Sequence, residues 1–170
     1  MNRSMSLTIA AVVALLSGGC GTAAPAGPSS DPERALLEPA ALGSGWHTAR
    51  TVSGEWDRLR DVPAPCGRRV IIPQKALTHV REFTTGGGTS VTQFVIVDVD
   101  AVDAFKRFYA ECDAVGEVAG LPGPQHVARH GLVEVATPAG DALVIVTGTV
   151  PEAELRRVAE TGRDRVERLG

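Results

Sequence analysis

The strongest alternation of apolar and polar positions lies in the middle of the chain. Two β-rich runs, LTHVREFTT (77–85) and SVTQFVIVDVD (90–100), stand on either side of three glycines (86–88). Such runs around a glycine turn predict a β-hairpin. The second run becomes continuously apolar from Phe94 to Val97, which predicts a central strand covered on both faces.

The period becomes helical directly after this hairpin. Asp100 is suited to cap a helix that starts at Ala101, with Asp103 in its first turn. Because Cys112 belongs to the apolar face of this helix, it is expected to point inward at the helix end. The residues of that face follow one another at spacings of three, four and three: Val102, Phe105, Tyr109 and Cys112.

The C-terminal part of the chain has a similar plan. HVARHGLVEVATP (126–138) and ALVIVTGTV (142–150) predict a second hairpin. A final helix is expected over about 150–169, because apolar residues recur there at helical spacing. Thr149 and Glu152 form a capping-box pattern at its start.

The segment before the first hairpin is less regular. Residues 31–42 predict a short helix with Asp31 as its cap and an interruption at Pro39. A strand with a bend is expected between Trp46 and Trp56. Both tryptophans are expected in the core rather than around a pocket, because the chain has few other aromatic side chains.

These elements together predict the α+β fold class. Hairpins require antiparallel pairing, and helices with one apolar stripe pack on a sheet. We therefore expect an antiparallel β-sheet built from two hairpins and flanked by amphipathic helices. Gly162 is expected to weaken the last helix by about 1 kcal/mol relative to alanine. Residues 33–170 have the length of a single domain.

The N-terminus has the layout of a lipoprotein signal peptide. Arg3 precedes an apolar run, Leu7–Leu16, which is too short to cross a membrane. Small residues then precede Cys20, which resembles the bacterial lipobox, although Ser17 stands where the lipobox has an aliphatic residue. This resemblance implies that residues 1–19 are removed and that Cys20 receives the acyl chains, such as palmitate.

The composition that follows Cys20 agrees with this interpretation. Residues 20–32 are mainly Gly, Ala, Pro and Ser, which predicts a flexible tether. An ordinary signal peptide with a chance cysteine is the alternative. The prediction is a domain held at the extracytoplasmic face of the cell membrane by its N-terminal lipid, since two or more acyl chains give stable anchoring.

Charge and composition bear on which partners the protein can bind and on the kind of genome that encodes it. The net charge is −3, and removal of residues 1–19 makes it −4 because only Arg3 is lost. This negative charge argues against nucleic-acid binding, which would need a basic face. Lys75 and Lys106 are the only lysines, and Ala, Gly and Val are abundant. This composition is typical of a GC-rich genome such as that of an actinobacterium.

Cysteine counting leaves one possible pairing in an exported domain. If Cys20 carries lipid, Cys66 and Cys112 remain, and an oxidising compartment favours a disulfide between them. Because a disulfide that closes so long a loop lowers the entropy of the unfolded chain, it should stabilise the folded domain by about 4 kcal/mol. Two unrelated free thiols are the alternative.

The chain lacks a strong catalytic or metal-binding motif. His126 and His130 are four residues apart, but in a strand that spacing separates them by about 13 Å. Asp98, Asp100 and Asp103 lack the glycine and glutamate of a calcium loop. Nucleotide fingerprints, hydrolase elbows and CxxC pairs do not occur. We therefore expect no metal, no cofactor and no enzyme activity.

The whole layout resembles a family of actinobacterial exported lipoproteins. The stretch ALLEPAALGSGWHTAR (35–50), Trp56, the Cys66 loop and VREF…FVIVDVDAVDAFKRFYAEC (80–112) are similar to the extracellular sensor domain of the mycobacterial kinase PknH. The resemblance spans 33–170. It implies an antiparallel sheet flanked by helices, a ligand cleft and no established catalysis. That family usually has two disulfides, whereas this chain has cysteines for one.

Three functions are compatible with these observations. The leading hypothesis is a lipid-anchored extracytoplasmic domain, similar to a sensor, that binds a small ligand or a cell-envelope partner. The alternative is a structural or protein–protein accessory module of a membrane complex. The third is an enzyme whose catalytic groups, such as a histidine and an aspartate, meet only in the fold.

Overall fold

A computed structural model describes residues 32–112, 125–129 and 131–169. Its regular elements in this part of the chain are β1 (Trp46–Glu55), β2 (Leu77–Thr85), β3 (Ser90–Val97), α1 (Ala101–Glu111), β4 (Gln125–Arg129), β5 (Leu132–Ala139), β6 (Ala142–Gly148) and α2 (Glu152–Glu167). The strands form one antiparallel sheet in the order β1-β2-β3-β6-β5-β4. The predicted α+β class is confirmed.

Several predicted features lie outside the described residues. They are the signal peptide 1–19, the lipid site Cys20, the tether up to residue 31, and His130. None of the helices within the described ranges has the length and apolar character needed to cross a membrane.

The first hairpin is confirmed, with β2 as predicted and β3 ending at Val97, three residues before the end of the predicted run at Asp100. β2 pairs with β3 around the three glycines, and Val80 lies opposite Phe94. On its other side β3 pairs with β6. Phe94 and Val95 point to opposite faces and are both buried. The continuous apolar run therefore does mark a central strand covered on both faces.

The second hairpin is more complex than predicted. The run 126–138 was expected to form one strand, but it forms most of two, β4 and β5, which pair with each other. The chain reverses next to Gly131, whose φ of +80° is a left-handed conformation that favours glycine. The prediction was wrong because a single His-Gly dipeptide is a weak turn signal. β5 and β6 then pair as expected.

Two sets of alternating side chains form two cores, one on each side of the sheet. We call these sides the α1 face and the α2 face, after the helix that covers each. The α1 face contains Trp56, Phe94, Ile96, Phe105, Phe108, Leu143 and Ile145. The α2 face contains Phe83, Val91, Val95, Val144, Val146, Leu155 and Val158.

Helix α1 begins as predicted but buries a slightly different face. The Asp100 carboxylate accepts a hydrogen bond from the Asp103 backbone N–H at 2.9 Å, which confirms the cap. Val102 was placed on the buried face but is 43% exposed. The prediction missed Phe108, whose ring is completely buried. The buried stripe runs through Phe105 and Phe108, which turns Val102 toward solvent.

Helix α2 forms, but the predicted capping box does not. The helix starts at Glu152 with Pro151 at the N-cap position and no side-chain cap bond. The Thr149 hydroxyl instead accepts a hydrogen bond from the Ser90 backbone N–H at 3.2 Å. The Thr149 side chain therefore binds the start of β3 and does not cap α2.

Gly162 has a packing role that the sequence pattern did not predict. A Cβ at this position would lie 2.9 Å from Nε2 of Gln93 and 3.2 Å from the Val144 side chain. Gln93 projects from β3 and is completely buried. The glycine that lowers helix propensity thus allows α2 to lie close against the sheet.

The predicted N-terminal helix was wrong. Its described part, 32–42, contains two short 3₁₀ turns, Pro32–Ala35 and Pro39–Ala41, instead of one α-helix, and the predicted cap Asp31 lies outside the described residues. Pro39 has no N–H and disfavours helical geometry at the residue before it. Leu36 and Leu37 between the turns are completely buried in the α2 face. Burial of these two leucines therefore holds the segment in place.

Candidate functional site

The cysteine pair forms the predicted disulfide. Cys66 and Cys112 are bonded with their Cα atoms 5.7 Å apart. Cys112 follows the last turn of α1 and is completely buried. Cys66 lies in the 3₁₀ turn Pro65–Gly67 with a φ of +41°, which non-glycine residues rarely adopt. The bond joins α1 to the loop between β1 and β2.

A buried carboxylate supports the unusual backbone at Cys66. Glu134 projects from β5 onto the α1 face, and only 5% of its surface is exposed. Its two oxygens accept hydrogen bonds from the Cys66 backbone N–H at 2.9 and 2.7 Å. A charged acceptor strengthens such a bond. The strand and the disulfide loop are therefore linked by a polar contact as well as by the disulfide.

The two sulfurs and the Glu134 carboxylate are a potential ligand set. One ligand atom from each of Cys66, Cys112 and Glu134 lies within 4.8 Å of the others. A metal binds cysteine as the thiolate. Both sulfurs are bonded to each other in the disulfide and are not thiolates. In this oxidised form the cluster therefore crosslinks the fold and offers no thiolate to a metal.

Trp56 belongs to the same structural region. Its ring is buried, packs edge-on against Phe94 and lies 3.9 Å from the guanidinium of Arg69. The Trp56 indole N–H donates to the Arg69 carbonyl at 3.0 Å. Burial lowers the pKa of Arg69. Trp56 is therefore a core residue, as predicted, while Trp46 packs partly buried on the α2 face.

A cleft lies beside the start of α1, at the end of the β2–β3 hairpin that is remote from the glycine turn. Its volume is about 460 Å³, within the range of small-ligand pockets. One wall is the segment before β2, and the other combines the end of β3 with the first turns of α1. The lining residues are Pro73, Lys75, Ala76, Leu77, Asp98, Val99, Asp100, Asp103, Ala104 and Arg107.

Most charges around the cleft are already engaged. Lys75 contacts Asp57 at 3.1 Å and Glu55 at 3.3 Å. The hydrogen bond to Asp57 is the main reason that the pKa of Lys75 is raised. Asp100 caps α1, and Asp103 lies 3.6 Å from the Lys106 ammonium.

Two charged side chains in the cleft differ from the rest. Within the described residues, neither Asp98 nor Arg107 has an oppositely charged partner within ion-pair distance. Asp98 also has a φ of +56°, a conformation that aspartate tolerates better than most residues. The cleft therefore presents one available anion and one available cation to a ligand.

Neither His47 nor His79 lines this cleft. His47 is exposed on β1, and His79 is buried with its Nδ1 2.8 Å from the Ser53 hydroxyl. His126 lies on β4, at the opposite edge of the sheet from β1.

Sequence reasoning missed Glu134, Lys75 and Arg107. A glutamate within the apolar run LVEVA was a detectable signal, because a carboxylate at an inward strand position requires a partner. Nothing local to Lys75 or Arg107 indicated the cleft, since the two lie on different walls. Asp98, Asp100 and Asp103 were recognised as a group, and the structure does bring them to one site.

No protein-family model and no curated protein matches this chain. A crystal structure of a GTP binding regulator from Thermotoga maritima is similar to it with a TM-score of 0.44 and 18% sequence identity. That similarity covers 76% of this chain and 81% of the Thermotoga chain. A similarity of this extent identifies neither a family nor a function.

Proposed function

We propose that this chain is a lipid-anchored extracytoplasmic domain that binds a small polar ligand in the cleft beside α1. The proposal combines the lipobox-like Cys20 with the Cys66–Cys112 disulfide. The disulfide is the observation that carries it, because such bonds persist in oxidising compartments outside the cytoplasm. The resemblance to the PknH-like sensor family remains a prediction that agrees with this role.

The cleft favours a ligand that carries both charges. Asp98 is suited to bind an amino group, and Arg107 is suited to bind a carboxylate through two parallel hydrogen bonds. Short peptides and peptide fragments of the cell wall have both groups. Catalysis is not part of the proposal, because the described residues that line the cleft include no serine, cysteine or histidine.

Intact mass of the protein from its native membranes tests the anchor. We expect a chain that begins at Cys20, carries added acyl mass and exposes two alkylatable thiols only after reduction. A chain that retains residues 1–19, with three free thiols, would overturn the extracytoplasmic assignment.

Thermal unfolding tests the ligand class. Alanyl-alanine and alanyl-glutamate are suitable probes, because each has a free ammonium and a carboxylate. Binding at a ligand concentration of 100 times Kd should add about 2.7 kcal/mol to the free energy of unfolding. Arg107→Gln should abolish the shift. Arg60→Gln is the matched control, because Arg60 is exposed and lies outside the cleft. An unchanged melting temperature with every zwitterionic probe would contradict the cleft as a site for this class.

A further inference from the structure

Three arginines surround a shallow depression at the C-terminal end of α2. Arg34 comes from the first 3₁₀ turn, and Arg165 and Arg168 come from the end of the helix. Together with Leu169 they line a volume of about 390 Å³. The Arg165 guanidinium donates to the Arg34 carbonyl oxygen, which holds the two segments together. We call these three arginines the arginine patch.

The arginine patch differs from the other arginines of α2. Arg156, Arg157 and Arg163 each have a carboxylate partner on the same helix. Within the described residues, none of the three patch arginines has a carboxylate within ion-pair distance. Cations near a helix C-terminus interact favourably with its carbonyl end. That effect accounts in part for Arg165 and Arg168 but not for Arg34, which belongs to another segment.

The arginine patch lies close in sequence to the predicted lipid attachment site. Arg34 lies two residues after Pro32, where the described structure begins. Eleven residues separate Pro32 from Cys20. The flexible tether predicted from the composition would span about 20 Å on average. If Cys20 is lipidated, the patch belongs to the part of the domain that the tether keeps near the bilayer.

We propose that the arginine patch is a docking surface for the phosphate headgroups of anionic lipids in the anchoring membrane. This inference rests on the proposed lipid anchor. Guanidinium groups bind phosphate through paired hydrogen bonds, and basic residues near an anionic surface are attracted to it within a Debye length. The patch is positive in a protein whose net charge is negative, so docking would select one orientation of the domain.

Docking has a consequence for the cleft. The patch lies on the α2 side of the sheet, whereas the cleft is formed beside α1 on the other side. A domain that rests on its arginine patch therefore presents the cleft away from the membrane. The lipid contact and the ligand contact then do not compete for one surface.

Hydrogen exchange on the mature chain in vesicles tests the docking surface. The chain is purified from native membranes, checked by intact mass, and reconstituted into neutral phosphatidylcholine vesicles or vesicles with phosphatidylglycerol. We expect amides of residues 33–37 and 163–169 to exchange about tenfold more slowly in the anionic vesicles. High salt should remove this protection because it screens the attraction.

Paired variants identify the residues responsible. Arg34→Gln with Arg168→Gln should abolish the protection, and both leave the Arg165 hydrogen bond intact. Arg58→Gln with Arg163→Gln removes the same charge from ion-paired arginines and should leave the protection unchanged. Equal protection in neutral and anionic vesicles would overturn the docking surface. Equal protection by inorganic phosphate alone would also overturn it, because the site would then bind free anions.

The two proposals fail in distinguishable ways. Absence of acyl mass refutes the lipid anchor before any exchange is measured. Acyl mass without lipid-dependent protection refutes only the arginine patch.

Discussion

The two faces of the sheet are covered by helices of different length that are held by different means. On the α1 face, α1 has 11 residues, a side-chain cap from Asp100 and a disulfide at its end. On the α2 face, α2 has 16 residues, no side-chain cap and no cysteine. The short helix is fixed at both ends, whereas the long helix depends on the area that it buries.

Packing energetics explain this difference. Helix stability in proteins comes mainly from burial of an apolar face, and a helix of three turns buries little. The α1 face therefore gains from local braces, namely the disulfide and the Glu134 contact to Cys66. The α2 face gains from close approach at Gly162 and from the buried leucines Leu36 and Leu37. Each brace can be removed separately.

Loss of the disulfide should have the largest effect. Cys66→Ala with Cys112→Ala should lower the free energy of unfolding by about 4 kcal/mol, because the open loop regains entropy in the unfolded chain. Urea denaturation measures the change. Native-state hydrogen exchange should show that α1 opens before α2. Equal loss of protection in both helices would mean that the two faces are not independently braced.

Gly162→Val tests the corresponding feature of the α2 face. The added side chain meets Gln93 and Val144, and overpacking of this kind should cost about 3 kcal/mol. Glu160→Val is the control, because it places the same β-branched residue at an exposed position of α2. Gln93→Ala by itself also removes the acceptor of the buried Leu37 N–H, so the comparison is between backgrounds: Gly162→Val should cost less free energy of unfolding in the Gln93→Ala protein than in the natural one. An equal cost in both backgrounds would contradict the Gln93 contact as the cause.

Glu134→Gln tests the polar contact to the disulfide loop. The neutral amide is a weaker acceptor for the Cys66 N–H, so unfolding should become easier by about 1.5 kcal/mol. Glu82→Gln, on a half-exposed site of the same face, should change stability by less than about 0.5 kcal/mol. Equal effects of the two substitutions in urea would remove the special role of Glu134.

Asp100→Ala tests the cap that α1 has and α2 lacks. We expect a loss of about 1 kcal/mol in the free energy of unfolding, measured by thermal or urea denaturation. Asp100→Asn should behave like the natural protein, because an amide oxygen can still accept the Asp103 N–H. A large loss in the asparagine variant would point to the charge rather than the cap.

The smallest expected effect is a pH dependence at the edge of the α1 face. The hydrogen bond from Lys75 lowers the pKa of Asp57 below its ordinary value. The stabilisation that the Asp57–Lys75 pair gives the folded state is thus complete above the ordinary aspartate pKa of about 3.9. It is lost as pH falls through the lower pKa that Asp57 has in the folded protein. Lys75→Met should make the melting temperature less dependent on acid in this window. An unchanged acid slope would mean that the pair does not contribute.

Local patterns were sufficient for the elements that depend on neighbouring residues. Alternation around three glycines located the first hairpin, and the run from Phe94 to Val97 located a central strand. The Asp100 cap was predictable because it joins residues three apart. The Cys66–Cys112 pair followed from counting cysteines under an assumed oxidising compartment.

Tertiary structure alone decided the features that join distant parts of the chain. Glu134 meets Cys66 across a separation of 68 residues, and Gly162 meets Gln93 only because α2 lies on that part of the sheet. Strand register and helix placement bring such residues together, and both are set by the sum of all packing contacts. Periodicity in a short window records which side of an element is buried. It contains no information about the residue that will lie opposite, which is why the sequence predicted the two helical layers but not the contacts that hold them.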